Sequence, residues 1–361
     1  MKYNSIRKKT KMLRVGGVCV GGDSPIAIQS MTNTDTCDAQ ATIRQIKALE
    51  ARGCDIVRIT VPTLEAADTI THIKESGVKI PVVADIHFDY KIALRCATLG
   101  VDKIRINPGN IGDDERVKAV CEACRAGGIP IRIGVNSGSL EKNILAKYGA
   151  PTAEALFESA MYHISLLERY DFEDIAVSIK ASDVTTMIAA NRMLSERTSY
   201  PIHLGVTEAG SERRGLVKSA IGIGSLLADG IGDTVRVSLT DDPLLEIDAA
   251  REILNALDID GQKQMNIVSC PTCGRTKIDL IDLVKRFERA AAEEGLLNVP
   301  IKVALMGCIV NGPGEAREAD IGIAGGHGEA LLFSHGQTLC KVSEEEIIPT
   351  LIARIREMAA K

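Results

Sequence analysis

Short runs rich in Val and Ile recur along the first two thirds of the chain, with longer amphipathic stretches between them. The runs are IAIQSMT (26–32), DIVRITV (55–61), PVVADIH (81–87), KIRINPG (103–109), PIRIGVN (130–136), DIAVSIK (174–180), PIHLGVTE (201–208) and DTVRVSL (233–239). The intervening segments, such as TLEAADTITHIKESG (63–77) and SDVTTMIAANRMLSERT (182–198), space apolar residues three and four apart, as amphipathic helices do. Eight strands alternating with helices predict an α/β fold, a (β/α)8 TIM barrel of about 250 residues, over residues 1–257. The alternative, an open doubly wound sheet, would carry a dinucleotide fingerprint after its first strand. The nearest glycine pattern, at Gly222 and Gly224, falls within a helical segment and reads as helix packing.

A second pattern follows. MNIVSC (265–270) and IKVALMGC (301–308) read as strands, and TKIDLIDLVKRFERAAAEEG (276–295) as a helix. ADIGIAGG (319–326) and EALLFSHGQTLCKV (329–342) then read as a hairpin, and SEEEIIPTLIARIREMAAK (343–361) as a closing helix. This predicts a small α+β domain over 265–361, joined by the polar, Gly-containing linker DIDGQKQ (258–264).

Within the barrel strands, polar residues alternate with aliphatic ones, and a period of two sends them to opposite faces. Helices must cover the aliphatic face. Arg58, Thr60, Arg105, Asn107, Arg132, Asn136, Ser178, Lys180, Arg236 and Ser238 are therefore expected to point into the barrel toward its C-terminal mouth. Few acids share the pattern: Asp85, with His87 two residues on, and Glu208 at the end of the seventh strand. Burying an unpaired cation costs several kcal/mol, so converging cations call for anionic partners. One reading is a barrel filled by internal salt bridges; the other is a pocket for a polyanion, most naturally a diphosphate held by bidentate arginines.

Composition narrows the function classes. No apolar run in the 361 residues approaches the roughly 20 needed to span a membrane. The basic start, MKYNSIRKKTKMLRVGG, is followed by no apolar signal-peptide core, so a cytoplasmic location is expected. Ten cysteines fit a reducing compartment as core thiols, metal ligands or catalysts. A net charge of −5 and the absence of tryptophan do not suggest the broad basic face that nucleic acid requires. A small-molecule partner is expected.

Cys270 and Cys273 form a C-x2-C motif ahead of a helix, and Cys308 lies in the glycine-rich turn MGCIVNGPGEA (306–316). Such a motif is open to structural zinc, a redox dithiol or an iron–sulfur site; three thiolates without a fourth argue against a closed four-cysteine zinc site. Spacing alone leaves Glu315 an ordinary acid after a turn. The second C-x2-C, Cys121 and Cys124, falls on an apolar helical stripe and reads as core, and the isolated Cys19, Cys37, Cys54, Cys96 and Cys340 read as buried small hydrophobes.

Taken together, CPTCGR and MGCIVNGPGEA behind a barrel carrying VRITVP, ADIHF, RINPGN, RIGVN, SIKAS, GVTEAG and VRVSLT resemble the bacterial 4-hydroxy-3-methylbut-2-enyl diphosphate synthases over nearly the whole chain. The large insertion that some members carry between barrel and cluster domain is missing. The resemblance implies an oxidoreductase of the non-mevalonate isoprenoid route that reductively opens 2-C-methyl-D-erythritol 2,4-cyclodiphosphate and expels water. It implies a [4Fe–4S] cluster held by Cys270, Cys273, Cys308 and Glu315. The harder carboxylate suits such a cluster less well than thiolates do, so Glu315 is expected to be the exchangeable ligand. Arg58, Arg105, Arg132, Lys180 and Ser238 are expected around the diphosphate with Asn136 assisting, and Asp85, His87 and Glu208 facing the carbon skeleton. Glu208, its pKa raised by burial, is the expected proton donor to the departing oxygen; His87 has the alternative of simply hydrogen-bonding Asp85. Flavodoxin or ferredoxin would supply electrons, and a head-to-tail homodimer would let one chain's cluster cap the other's barrel. Two rivals remain at this level: a non-redox barrel enzyme on a phosphorylated substrate with a structural zinc tail, and a phosphate-binding module whose C-terminal domain serves assembly.

Overall fold

In the computed structural model, residues 6–259, 265–309 and 318–360 are described. Contacts divide the chain into two compact units, Met1–Asp260 and Gly261–Lys361.

The first unit opens with a hairpin, β1 (Leu13–Val15) and β2 (Val18–Val20), which the sequence reading did not anticipate. The alternation follows: β3 (Ala27–Met31), α1 (Ala39–Ala51), β4 (Ile56–Thr60), α2 (Leu64–Glu75), β5 (Val82–Asp85), α3 (Tyr90–Thr98), β6 (Lys103–Ile106), α4 (Asp114–Gly127) and β7 (Ile131–Asn136). Next come α5 (Lys142–Tyr148), α6 (Ala153–Glu168), β8 (Ile175–Lys180), α7 (Val184–Arg197), β9 (His203–Leu204), α8 (Glu212–Ala228), β10 (Thr234–Val235) and α9 (Pro243–Ala256). Helix starts are written locally. Asp38, Thr63, Asp113, Thr152 and Asp183 each accept from a first-turn backbone N–H, satisfying donors a helix start would leave open.

The strands run in parallel in the order β8-β7-β6-β5-β4-β3-β10-β9, and a parallel bridge from Val177 to Ile202 joins the two ends into a barrel. Outward aliphatic side chains such as Val57, Ile59, Ile104, Ile133, Val177 and Val235 pack with the helices. The hairpin supplies Val15 and Val20 to an apolar plug with Ala27, Ile56 and Val83, at the N-terminal ends of β3, β4 and β5. The paired registers stack the inward side chains in layers of four from alternate strands. Ile56, Lys103, Ala176 and Thr234 form the lowest of these, then Gln29, Val83, Arg132 and His203, then Arg58, Arg105, Ser178 and Arg236. Above them lie Met31, Asp85 and Gly134, and toward the mouth Thr60 and Lys180. Most barrels fill this space with branched aliphatics; here the fill is polar and cationic.

The second unit comprises β11 (Asn266–Ser269), α10 (Leu280–Glu293), β12 (Lys302–Met306), β13 (Ile321–Gly325), β14 (Glu329–Ser334), β15 (Gln337–Ser343) and α11 (Ile347–Ala359). Its sheet runs β11-β12-β13-β14-β15, parallel across the first three strands and antiparallel across the last three. Leu283, Phe287, Leu351 and Ile355 bury against Val303, Leu305, Ile323 and Leu332. The segment 329–342, read as one arm of a hairpin, is itself a hairpin: His335 and Gly336 take left-handed φ of 46° and 77°, the turn that returns a strand on itself.

Cys121, Cys124, Cys54 and Cys96 are buried, but Cys19, Cys37 and Cys340 are exposed, contrary to expectation. Cys19 and Cys340 lie on the solvent faces of a two-stranded hairpin and of the outermost strand β15, and Cys37 precedes α1. Gly222 does serve helix packing, since a Cβ there would come 2.6 Å from Met187 Cε.

Candidate active site

The C-terminal ends of the strands surround a cavity of about 350 Å³ lined by Arg58, Thr60, Asp85, His87, Arg105, Arg132, Asn136, Ser178, Lys180, Arg236 and Ser238, with Met31 and Thr207. Strand parity thus brings the expected substrate-binding residues to one place.

Asp85 anchors the arrangement. Its Oδ1 accepts from Arg105 Nη1 at 2.9 Å, and its Oδ2 lies 3.4 Å from Arg58 Nε. Burial alone would raise this carboxyl; Arg58 and then Arg105 overcome it and hold it at about 2. Asp85 thus serves as an ionised counter-ion for two arginines while also lining the cavity. Arg105 also donates to the Gly134 carbonyl at 3.4 Å. With its amide oriented to satisfy both ends, Asn136 Oδ1 accepts from Arg105 Nη2 at 3.1 Å.

The sequence reading missed two supports. Met31 Sδ receives Arg58 Nη2 at 2.9 Å. Glu246 on α9 takes Arg236 at 3.0 and 3.1 Å and Ser30 Oγ at 2.8 Å, so Arg236 already has its anion. Among the described residues no carboxylate pairs with Arg132 within salt-bridge distance. It is fully buried, donates Nη1 to Ser178 Oγ at 3.2 Å, and leaves Nε and Nη2 without an acceptor. Burial and then the neighbouring Arg58 depress its pKa, and the same causes depress Lys180 well below its usual range. Two glycines clear the space: a Cβ on Gly134 would sit 2.2 Å from Arg105 Nε, and one on Gly205 2.8 Å from Lys180 Nζ.

At the rim, His87 is exposed and lines the cavity. Among the described residues it makes no hydrogen bond to Asp85, which the two arginines occupy. Glu208 is exposed and outside the cavity wall, its backbone in the left-handed region with φ of 51°. The burial expected of it is not supplied in this chain.

In the second unit, Cys270 follows β11 and Cys308 lies two residues beyond β12, its parallel neighbour. Gly307 N–H donates to Cys270 Sγ at 3.3 Å, and Lys277 N–H to the Gly307 carbonyl at 2.9 Å, tying the two cysteine-bearing loops together. A Cβ on Gly307 would meet Thr276 Cγ2 at 2.8 Å. Cys273 is exposed, and the backbone N–H and then the side chain of Arg275 lower its thiol pKa toward the thiolate that ligates metals. Among the described residues no three His, Cys, Asp or Glu side chains converge as for one metal ion. An iron–sulfur cluster differs from a single ion in that each ligand holds a separate iron, and thiolates are its usual donors. Glu315 lies outside the described residues.

Residues 10–251 match the GcpE TIM-barrel domain, and residues 266–357 the GcpE protein C-terminal domain. The chain belongs to the GcpE family. It is 57% identical over 352 residues, 98% of each chain, to the 4-hydroxy-3-methylbut-2-en-1-yl diphosphate synthase (flavodoxin) of Ruminiclostridium cellulolyticum. It is 56% identical over 346 residues to the enzyme of that name from Clostridium perfringens, covering 96% of this chain and 98% of that one. A dihydropteroate synthase from Stenotrophomonas maltophilia, 14% identical, superposes with a TM-score of 0.50 over 69% of this GcpE chain and 98% of that one, a likeness of fold alone. The non-redox alternative finds no support among these relatives. Among the described residues no helix of the GcpE chain is long and apolar enough to cross a membrane.

Proposed function

We propose that this chain reductively opens 2-C-methyl-D-erythritol 2,4-cyclodiphosphate to 4-hydroxy-3-methylbut-2-enyl diphosphate, taking electrons from flavodoxin or ferredoxin in the cytoplasm. The observation that carries the reading is Arg132, a fully buried guanidinium lining the cavity with two nitrogens that find no partner among the described residues. A buried cation whose nearby carboxylate is already bonded to two other arginines gains from a ligand that brings its own anions, and a cyclic diphosphate brings two.

Arg132 and Lys180 hold the diphosphate, with Ser238 and Asn136 adding polar contacts from the wall. Arg58 and Arg105, already fixed by Asp85, present their remaining N–H groups in set directions, so little orientational entropy is lost when the anion docks. The carbon skeleton then faces the rim, where His87 and Glu208 stand. Glu208 gives its carboxyl proton to the departing oxygen once a second surface covers the mouth. Cys270, Cys273 and Cys308, with Glu315, would hold a [4Fe–4S] cluster. Bound there, it would supply electrons one at a time and, through an exchangeable position, Lewis acidity. An exposed rim that needs a cover favours head-to-tail dimers, one chain's second unit closing another's barrel.

Anaerobic purification tests the cofactor. About four iron and four sulfide per chain are expected; colourless protein with one zinc would contradict the reading. Glu315→Ala is expected to keep its iron and lose turnover, and unchanged turnover would remove Glu315 from the site.

A further inference from the structure

Arg236 lines the cavity from a stretch that regular pairing does not secure. The register of β10 on β3 ends at Val235 and Ile28, one residue short of Arg236. Glu246, which is 3% exposed and does not itself line the cavity, reaches this stretch from α9. Its Oε1 accepts from Arg236 Nη2 at 3.0 Å and from the Leu239 N–H at 3.2 Å. Its Oε2 accepts from Arg236 Nε at 3.1 Å and from Ser30 Oγ at 2.8 Å. An ionised carboxylate offers about four lone-pair sites. These donors occupy them and leave none for a ligand.

Ser30 from β3 and the Leu239 backbone anchor the carboxylate, and the carboxylate in turn takes Arg236 by its Nε–Nη2 edge. That two-point contact fixes both the plane and the direction of a guanidinium. The remaining nitrogen, Nη1, lies 3.7 Å from Met31 Sδ, the sulfur that also receives Arg58 Nη2 at 2.9 Å. Met31 and Arg58 both line the cavity, so Nη1 is held on the side from which a ligand arrives. We propose that Glu246 is a positioning residue for the cavity: it acts through Arg236, holding Nη1 ready to meet the anion while touching no substrate itself. The inference rests on the cyclodiphosphate reading of the cavity. A loose arginine would bring the same charge but would give up its rotamer freedom when the anion docks, whereas a held one has already done so. The positioning role and simple neutralisation of Arg236 predict opposite effects. If Glu246 only cancelled charge, removing it would free a cation and tighten anion binding. If it sets direction, removing it weakens binding.

Calorimetric titration of the full-length, cluster-loaded chain with cyclodiphosphate decides between them. Glu246→Gln keeps the shape but turns one oxygen into an NH2 donor, so Arg236 loses one of its two bonds whichever way the amide faces. At equal iron content its affinity is expected to fall about tenfold, the worth of one oriented charge-assisted contact. Glu246→Asp, which keeps the charge but falls one methylene short, takes its place if the amide variant does not fold, and is also expected to bind more weakly. A double-mutant cycle with Arg236→Met separates positioning from general damage to the barrel. Once Arg236 is gone, the second substitution is expected to cost no further affinity. Wild-type or tighter binding by the folded Glu246 variant, or a double variant whose loss is the product of the two single losses, would overturn the proposal while leaving the cyclodiphosphate site standing. Absence of binding by the wild type would overturn the site itself.

Discussion

Arg105 occupies the space that a side chain at Gly134 would need. A Cβ at position 134 would lie 2.2 Å from Arg105 Nε and 2.6 Å from Nη2. The arginine can therefore reach Asp85 only because its neighbour on β7 is glycine. Gly134→Ala is expected to displace Arg105 and weaken cyclodiphosphate binding by roughly 10–100-fold, the loss of one charge-assisted contact. Calorimetry checks it. Gly224→Ala, in α8 with nothing within 4 Å, is the control: it should leave binding unchanged and add up to about 1 kcal/mol of stability.

Arg132 sets function against stability. Replacing it with methionine removes a buried, partly unpartnered cation while keeping much of its volume. Arg132→Met is expected to unfold at higher urea, by about 1 kcal/mol or more, while affinity for the cyclodiphosphate falls at least about tenfold. A variant that lost both stability and affinity would show Arg132 to be paired in solution.

Asp85 gives an acid signature. Its folded pKa, about 2, is depressed below the ordinary 3.8, so its contribution is present above pH 4 and lost as pH falls toward 2. Asp85→Asn should remove that part of the acid unfolding profile. It should also destabilise the chain by roughly 3–5 kcal/mol at neutral pH, since two buried arginines lose their carboxylate. Urea titrations from pH 2 to 7 measure both.

If the mouth is closed by another chain, then a Cys308→Ala chain and a Glu208→Ala chain, each inactive alone, should regain part of the activity when mixed and allowed to exchange subunits. Failure of mixed samples to recover turnover would favour a site made within one chain.

The barrel was legible because its signal is local and repeated: period two in VRIT, IRIN and VRVS sorts side chains before any tertiary contact is known. The same rule reached Lys103, Gln29 and His203, which share parity with Arg105, Met31 and Thr207, but the reading stopped at the residues nearest the mouth. Glu246 was not legible. It sits on the helical stripe of α9, and only closure of the ring brings it to Arg236. The exposed cysteines were misread because a small outward thiol leaves no mark on periodicity. Asp85 was found, but its pairing with arginines from two other strands was not legible.

Turnover is the most direct test. Anaerobically prepared chain carrying iron and sulfide, given reduced flavodoxin and cyclodiphosphate, should yield 4-hydroxy-3-methylbut-2-enyl diphosphate by phosphorus NMR, and the Arg132→Met chain with equal iron should yield far less. Iron-loaded, folded enzyme that leaves the cyclodiphosphate intact, or an Arg132→Met chain as active as wild type, would contradict it.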